Sequence, residues 1–146
     1  MSMELDISEL NEYAEGMIEF GVNEMPNVAK KFMRKEATKL RKKAVDKTKA
    51  VVGKKTGNLY KRIKKGKTVY AWGDAQYNIR VYNGAPHAHL IEYGHRMVGH
   101  KPNKTFNGLY VRGYHPIENA NIEFQPTFYK DVETDLVGMV EEELEK

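Results

Sequence analysis

Charge is sorted into blocks along this chain, and that sorting constrains its folding more than any other feature of the sequence. Residues 1–27 contain seven acidic side chains and no lysine or arginine, whereas residues 28–67 contain 17 lysines and arginines and two acids. Residues 118–146 are acidic again, with nine aspartates and glutamates and two lysines. Such blocks can attract one another within a fold, dock between subunits or leave the basic segment free for phosphates, and the sequence leaves all three open.

Apolar residues recur at intervals of three or four in both terminal regions, which predicts long amphipathic helices. The spacing predicts one helix over residues 8–24, a second over about 27–52 and a third from residue 116 towards the C-terminus. Pro26 predicts a break, a kink or a new start between the first two helices. Pro126 predicts either a kink in the third helix or a helix that begins only after it.

The middle of the chain carries strand and turn signals. Residues 68–72 and 77–82 are rich in aromatic and β-branched side chains, and the segment between them is turn-like, so we expect an antiparallel hairpin. A short helix is expected over 87–93, with Gly94 as the left-handed residue that ends it. Residues 100–109 have no clear period and are expected to be mobile, and we expect the loop 96–112 that contains them to become ordered when a partner binds.

These elements predict an α+β fold, with a small antiparallel β-sheet based on the hairpin and packed against long amphipathic N- and C-terminal helices. The length predicts a single domain over 1–146, made of a helical region (1–53), a central region of hairpin, short helix and loop (54–115) and a C-terminal helix (116–146). The absence of cysteine excludes disulfides and thiolate zinc sites. No apolar run approaches the roughly 18 residues of a membrane span, so we expect a cytosolic protein without a membrane partner.

The sequence offers little for catalysis. Serine occurs only at positions 2 and 8, and no nucleophile-elbow motif is present, which excludes a serine hydrolase. All five histidines lie between residues 87 and 115, and His87 and His89, with Glu92 nearby, have a spacing found in metal sites. On a short helix these two would point to different faces, so we expect structural or surface histidines. We therefore expect no enzyme, no metal and no cofactor, and a metal-dependent nuclease is the distant alternative.

Three short motifs follow one another after residue 55. They are Thr56-Gly57-Asn58-Leu59, then His87-Ala88-His89-Leu90-Ile91-Glu92-Tyr93-Gly94, then His115-Pro116-Ile117-Glu118-Asn119-Ala120. In this order and spacing the chain resembles, over about residues 50–146, the minor tail-component or head–tail joining (tail completion, neck) proteins of siphophage-type tailed bacteriophages. The family pattern has threonine where this chain has His95, and the segment from Tyr114 to Ile117 only approximates its last motif.

The resemblance implies a structural, noncatalytic role at the neck or tail end of the virion, commonly as a ring. The implied partners are other copies of the chain, the head-connector proteins and the tail-tube or tail-terminator proteins of a phage. The implied location is the host cytoplasm during assembly and then the head–tail neck of the virion. The candidate motif and assembly residues are Thr56, Gly57, Leu59, Ala88, Glu92, Tyr93, Gly94, Arg96, His115, Pro116 and Ala120.

Glu92 can be interpreted without the family. It falls in the last turn of the predicted short helix, where the helix dipole disfavours a carboxylate. We therefore expect a cationic partner such as Arg96, Arg112 or a residue of a neighbouring subunit, and the alternative is a simply solvated side chain.

The basic block supports an alternative function, a small cytosolic protein that binds nucleic acid nonspecifically through residues 28–67. Its candidate phosphate contacts are Lys35, Lys39, Arg41, Lys42, Lys43, Arg62, Lys64 and Lys65. Tyr60, Tyr70 and Trp72 could stack on bases. Lysine dominates the predicted helix, so sequence-specific recognition is not expected. The competing interpretation is a solvated or subunit-facing helix whose charge is matched by the acidic terminal segments.

Overall fold

The computed structural model describes residues 8–53, 57–71, 76–99 and 106–146. A helix that is continuous from residue 8 to residue 51 forms the N-terminal third: α1 (Ser8–Glu19), a π-helical turn (Phe20–Glu24) and α2 (Met25–Val51). Both predicted helices are confirmed, but Pro26 does not interrupt them. Pro26 lies in the first turn of α2, and the wider π turn directly before it accommodates a residue without an N–H.

The C-terminal helix runs from residue 116 as predicted. It consists of α5 (Pro116–Asp131), a second π-helical turn (Val132–Leu136) and α6 (Val137–Leu144). Pro126 lies inside α5, so the alternative in which the helix begins after this proline is wrong. Ion pairs along its length, described below, show that this helix lies antiparallel beside α2.

The core lies between α2, α5 and the first strand. Its buried apolar residues are Val28, Phe32, Ala37, Ala44, Ile63, Ala120 and Phe124. Phe128 packs its ring against Phe32 at 5.9 Å between centroids, and against Phe124 at 6.4 Å. The apolar stripes of the two long helices therefore bury each other, as their 3.6-residue period requires.

The predicted hairpin is confirmed next to its turn, but the end of its predicted second strand, residues 81–82, pairs with a different strand. β2 (Val69–Ala71) pairs with β3 (Gln76–Asn78), and β1 (Ile63–Lys65) pairs with β4 (Val81–Asn83). The sequence interpretation missed β1, although Ile63 is fully buried and packs against Ala44 and Ala120. Trp72 lies outside the described residues.

A further hairpin stands where the sequence predicted a loop over 96–112. β5 (Gly94–Val98) pairs antiparallel with β6 (Phe106–Arg112), so the loop prediction is wrong for the described part of this segment. The pairing shifts register between Arg96 and Val98, and Gly108 has a positive φ of 82°. These irregularities break the alternation of side chains by which a strand is recognised in a sequence.

The fold class is α+β, as predicted, with long terminal helices and small antiparallel sheets. The described strands form three two-stranded ladders rather than one sheet. Two short helices complete the chain: α3 (Asn58–Lys61) before β1, and α4 (Ala88–Tyr93), which ends at Gly94 as predicted. Within the described ranges, none of the helices is both long enough and apolar enough to span a membrane.

Candidate functional site at the motif junction

Two of the sequence motifs meet in space where α4 ends and α5 begins. The backbone N–H of Tyr114 donates to the carbonyl of Ile91 at 2.8 Å, and the N–H of His115 donates to the carbonyl of Glu92 at 3.2 Å. The last turn of α4 is thus tied to the residues that precede α5. We call this arrangement the motif junction.

The Glu92 side chain completes the junction. Its Oε2 accepts a hydrogen bond from the N–H of Ile117 at 3.1 Å, and its Oε1 accepts one from the N–H of Glu118 at 3.0 Å. These N–H groups lie in the first turn of α5, where donors lack partners within the helix and the helix dipole favours a negative charge. The N-terminus of α5, which only the folded chain brings to Glu92, thus supplies a positive partner, and pairing with a cation of a neighbouring subunit stays a prediction.

Two glycines allow this close approach. Gly94 has φ 82°, and a Cβ added there would contact the Val111 carbonyl and come within 2.7 Å of the Gly113 nitrogen. A Cβ on Gly113 would contact the Glu92 carbonyl and come within 2.7 Å of the Gly94 nitrogen. The positive φ predicted for Gly94 is confirmed, but its ψ of 178° is not left-handed helical, because β5 starts at this residue and the chain must extend.

His115 precedes α5 in a strained backbone conformation. With φ 50° and ψ 46°, it is the one non-glycine residue with positive φ in the described part of the chain. Its Nδ1 lies 2.9 Å from Glu118 Oε2, and its ring stands edge-on to that of Tyr93 at 6.0 Å between centroids. Pro116 then occupies the first turn of α5, where a missing N–H is tolerated.

The spacing of His87 and His89 does not correspond to a group of ligand atoms in the described part of the chain. Two groups of ligand atoms lie within 4.8 Å of one another among the described residues, and neither contains His87 or His89. One group is Glu92, His115 and Glu118, in which both Glu92 oxygens already accept backbone hydrogen bonds.

The junction also gathers other predicted residues. A cavity of about 320 Å³ beneath it is lined in part by Leu59, Ala88, Glu92, Tyr93 and Pro116, which come from all three motif segments. Ala120 is fully buried beside Ala44. Gly57 has φ 74° and precedes α3, which carries Leu59. Arg96 is exposed on β5, and Thr56 lies outside the described residues.

The basic helix is matched largely by acids of the C-terminal helix. The ion pairs are Lys35 with Asp135 at 2.8 Å, Lys39 with Asp131 at 2.5 Å, Lys43 with Glu123 at 3.6 Å and Lys47 with Glu123 at 2.5 Å. Three of the eight candidate phosphate contacts therefore face α5 and the π turn after it. Of the alternatives left open by the sequence, attraction within the fold accounts for these three.

Two more candidate cations bind within the fold. Arg41 Nε donates to the Ile63 carbonyl at 2.7 Å, and Lys65 Nζ donates to Thr38 Oγ1 at 2.7 Å. The remaining three candidates are Lys42, Arg62 and Lys64. They are exposed, and they make no ion pair with any residue that the structure describes.

Glu36 is a buried acid inside the basic block. It is 2% exposed, and Lys39 Nζ lies 3.0 Å from its Oε1. Burial raises the pKa of Glu36, which Lys39 partly opposes. The hydrogen bond to Asp131 raises the pKa of Lys39, and the same contact lowers the pKa of Asp131. Sequence analysis did not single out Glu36, although its position three residues before Lys39 on one helix face was a signal.

Two further lysines of α2 also lower the pKa values of carboxylates with which they pair. Lys47 lowers the pKa of Glu123, and Lys35 lowers the pKa of Asp135, chiefly through hydrogen bonds. The interface between α2 and α5 is thus apolar at its centre and ionic along one edge.

One family model matches this chain. It is described as "Bacteriophage HK97-gp10, putative tail-component", and it matches residues 18–94. The match extends from the end of α1 through α2 and the β1 to β4 ladders to Gly94. No curated protein and no solved structure matches the chain significantly.

Proposed function

Because the chain belongs to the HK97-gp10-like family of bacteriophage tail components, we propose that it joins or completes the tail at the head–tail interface of a virion. It does so as a noncatalytic structural protein that assembles with copies of itself. Its further partners are the head-connector proteins on one side and the tail-tube or tail-terminator proteins on the other. It is made in the host cytoplasm and ends in the neck of the particle.

The observation that carries this proposal is the motif junction. The Glu92 carboxylate caps α5, and Gly94 packs against Gly113. These residues form a mount that ties both ends of the β5–β6 hairpin to the start of α5. Such use of acidic and glycine residues builds a framework, whereas a catalytic site would direct the carboxylate at a substrate.

The hairpin on this mount presents apolar side chains to solvent. Met97, Val98, Leu109 and Tyr110 are all exposed large hydrophobic residues. Exposed large hydrophobic residues on both faces of a hairpin are typical of protein–protein contact surfaces. An apolar hairpin on such a mount is suited to insertion between neighbouring proteins of a neck.

Particle assembly tests this function. A phage that lacks the gene should accumulate DNA-filled heads and separate tails, visible by negative-stain electron microscopy. The purified wild-type protein, added to such an extract, should restore joined particles and plaque formation.

The double variant Val98→Ser with Leu109→Ser should fold but fail to restore joining. The matched control Ile122→Ser, which alters an exposed apolar residue of α5 away from the hairpin, should restore it. Normal particles without the gene would disprove the role.

The nucleic-acid alternative keeps one specific support. Lys42, Arg62 and Lys64 are exposed and unpaired with acids among the described residues, so they remain available for phosphates. Fluorescence anisotropy with DNA duplexes of increasing length, at several salt concentrations, would measure such contact. For each phosphate contacted, the binding constant should fall as about the 0.9 power of the salt concentration. Glutamate at all three positions should remove it. If that triple variant still joins heads to tails, DNA contact is separate from the joining role.

A further inference from the structure

The first helix has an apolar stripe that the described chain does not cover. Every residue of α1 is exposed, including Leu10 at 64% and Ile18 at 66%, and none is buried against other described residues. Tyr13 and Met17 extend the same stripe. None of the described residues buries the apolar stripe of this 12-residue helix, so a partner would explain its amphipathic pattern.

The polar side of α1 carries a single sign of charge. Residues 8–24 contain five glutamates and no lysine or arginine. α6 ends near the start of α2: the pKa of Lys146, which follows α6, is raised chiefly by Glu143 and also by the charge of Glu24, which precedes α2. α1 therefore has little of α6 to lie beside. α1, which is about 18 Å long at 1.5 Å per residue, is thus exposed along its whole length in the described part of the chain.

The β5–β6 hairpin carries the opposite charge. Residues 94–115 contain four lysines and arginines, three histidines and no acid. The register pairs Gly94 with Arg112 and Arg96 with Tyr110, so Arg96, Tyr110 and Arg112 share one face of the hairpin. All three are exposed, and the face is therefore both apolar and basic.

These two surfaces lie at opposite ends of the molecule. The start of α5, which carries the hairpin mount, lies beside the C-terminal part of α2, where Ala120 packs against Ala44. α1 continues from the N-terminal end of α2. About 20 helical residues, or roughly 30 Å, separate the two regions along the α2 axis.

We propose that α1 of one copy docks on the Arg96–Tyr110–Arg112 face of the next copy. This contact rests on the assembly function proposed above and names its partner and both of its surfaces. The apolar stripe of α1 lies against Tyr110, and the glutamates on its rim face the arginines. The contact joins two different patches, so it is heterologous and propagates head to tail until a ring closes. Charges at the rim steer the encounter, so raising the salt concentration weakens assembly.

Complementation of two blocked variants tests this contact. Leu10→Lys with Ile18→Lys blocks α1, and Arg96→Glu with Arg112→Glu blocks the hairpin face. Native mass spectrometry of the wild type over a concentration series should show a ladder of oligomers or a closed ring. Each variant alone should remain monomeric. Mixed together, the two should form a one-to-one heterodimer and nothing larger, because each retains one intact surface.

Three results would overturn the proposal: a wild type that stays monomeric, a hairpin-blocked variant that still oligomerises, or a mixture without heterodimer. Glu141→Lys on α6 and Lys64→Glu on β1 are the matched controls, since they reverse exposed charges away from both surfaces, and both should assemble like the wild type. Circular dichroism and urea unfolding confirm that each variant is folded.

The joining assay separates this contact from the proposed function. A wild type that is monomeric in solution but restores joined particles would reject the docking contact and leave the tail role intact. A protein that forms the head-to-tail ladder but never restores joining would support the contact and reject the role.

Discussion

The carboxylate of Glu92 accepts a hydrogen bond from the backbone N–H of Ile117 at 3.1 Å, and through it the end of α4 caps the first turn of α5. Two motifs that lie 25 residues apart in the sequence are thereby joined by one side chain. The hairpin between them is held at both of its ends. The stability of the C-terminal helix and the placement of the hairpin should therefore change together.

Replacing the capping carboxylate should destabilise the fold. Glu92→Ala leaves two N–H groups of α5 without their acceptor, and we expect the free energy of unfolding to fall by about 2 kcal/mol. Glu92→Gln, which keeps one acceptor oxygen, should lose less. Urea unfolding followed by circular dichroism measures both. Glu133→Ala, an exposed acid on the same C-terminal helix, is the control and should change stability by less than about 0.5 kcal/mol. Equal losses at the two positions would contradict the capping role.

Alanine at either junction glycine should be severely destabilising. Gly94→Ala places a side chain at a positive φ and against the Val111 carbonyl, and Gly113→Ala places one against the Glu92 carbonyl. We expect each to lower the free energy of unfolding by at least about 2 kcal/mol. Gly138→Ala is the matched control: a Cβ there meets nothing within 4 Å in α6, and it should stabilise the protein by about 0.5–1 kcal/mol. A tolerated Gly113→Ala would mean that the junction is more open than described.

Lys39 should matter more for stability than its exposed neighbour Lys42. Lys39→Met leaves the buried Glu36 and the partner Asp131 without their cation, and we expect a loss of about 2 kcal/mol. Lys42→Met makes the same chemical change on the same helix, but its side chain is exposed, so we expect a change within about 0.5 kcal/mol. Thermal or urea unfolding of the two variants decides the comparison. Similar effects would show that the ionic edge does not contribute.

The buried Glu36 should make the protein less stable as the pH rises above the ordinary range of glutamate. Burial raises its pKa in the folded state, so the folded chain holds this proton more tightly than the unfolded chain does. The stability contributed by the protonated form is therefore present below about pH 4.3 and is lost as the pH rises through the raised value. Glu36→Gln should remove this loss, and its advantage over the wild type should grow with pH in unfolding measurements.

A control for the pH experiment comes from Asp135, whose pKa Lys35 lowers. The sign is opposite: its contribution is present above about pH 3.9 and is lost as the pH falls through the lowered value. Asp135→Asn should therefore differ from the wild type at neutral pH and converge with it in acid. If Glu36→Gln behaved in the same way as Asp135→Asn, the conclusion that burial raises the pKa of Glu36 would be wrong.

Much of the fold could be predicted from local sequence patterns. The helices at both termini, the first hairpin and the short helix ending at Gly94 follow from periodicity and turn residues, which act within a few positions of one another. The motif residues came instead from a resemblance to a family, and the family match over residues 18–94 agrees with that resemblance for the first two motifs. Their assembly role remains a prediction, as does the single-domain boundary.

The sequence by itself determined the helices and the charge blocks, because each depends on neighbours along the chain. Only the tertiary structure decided that Glu92 caps α5, that 94–98 and 106–112 are strands, and which lysines face acids. These outcomes join residues 8 to 100 positions apart, and such pairings depend on how the helices and strands pack rather than on any local spacing.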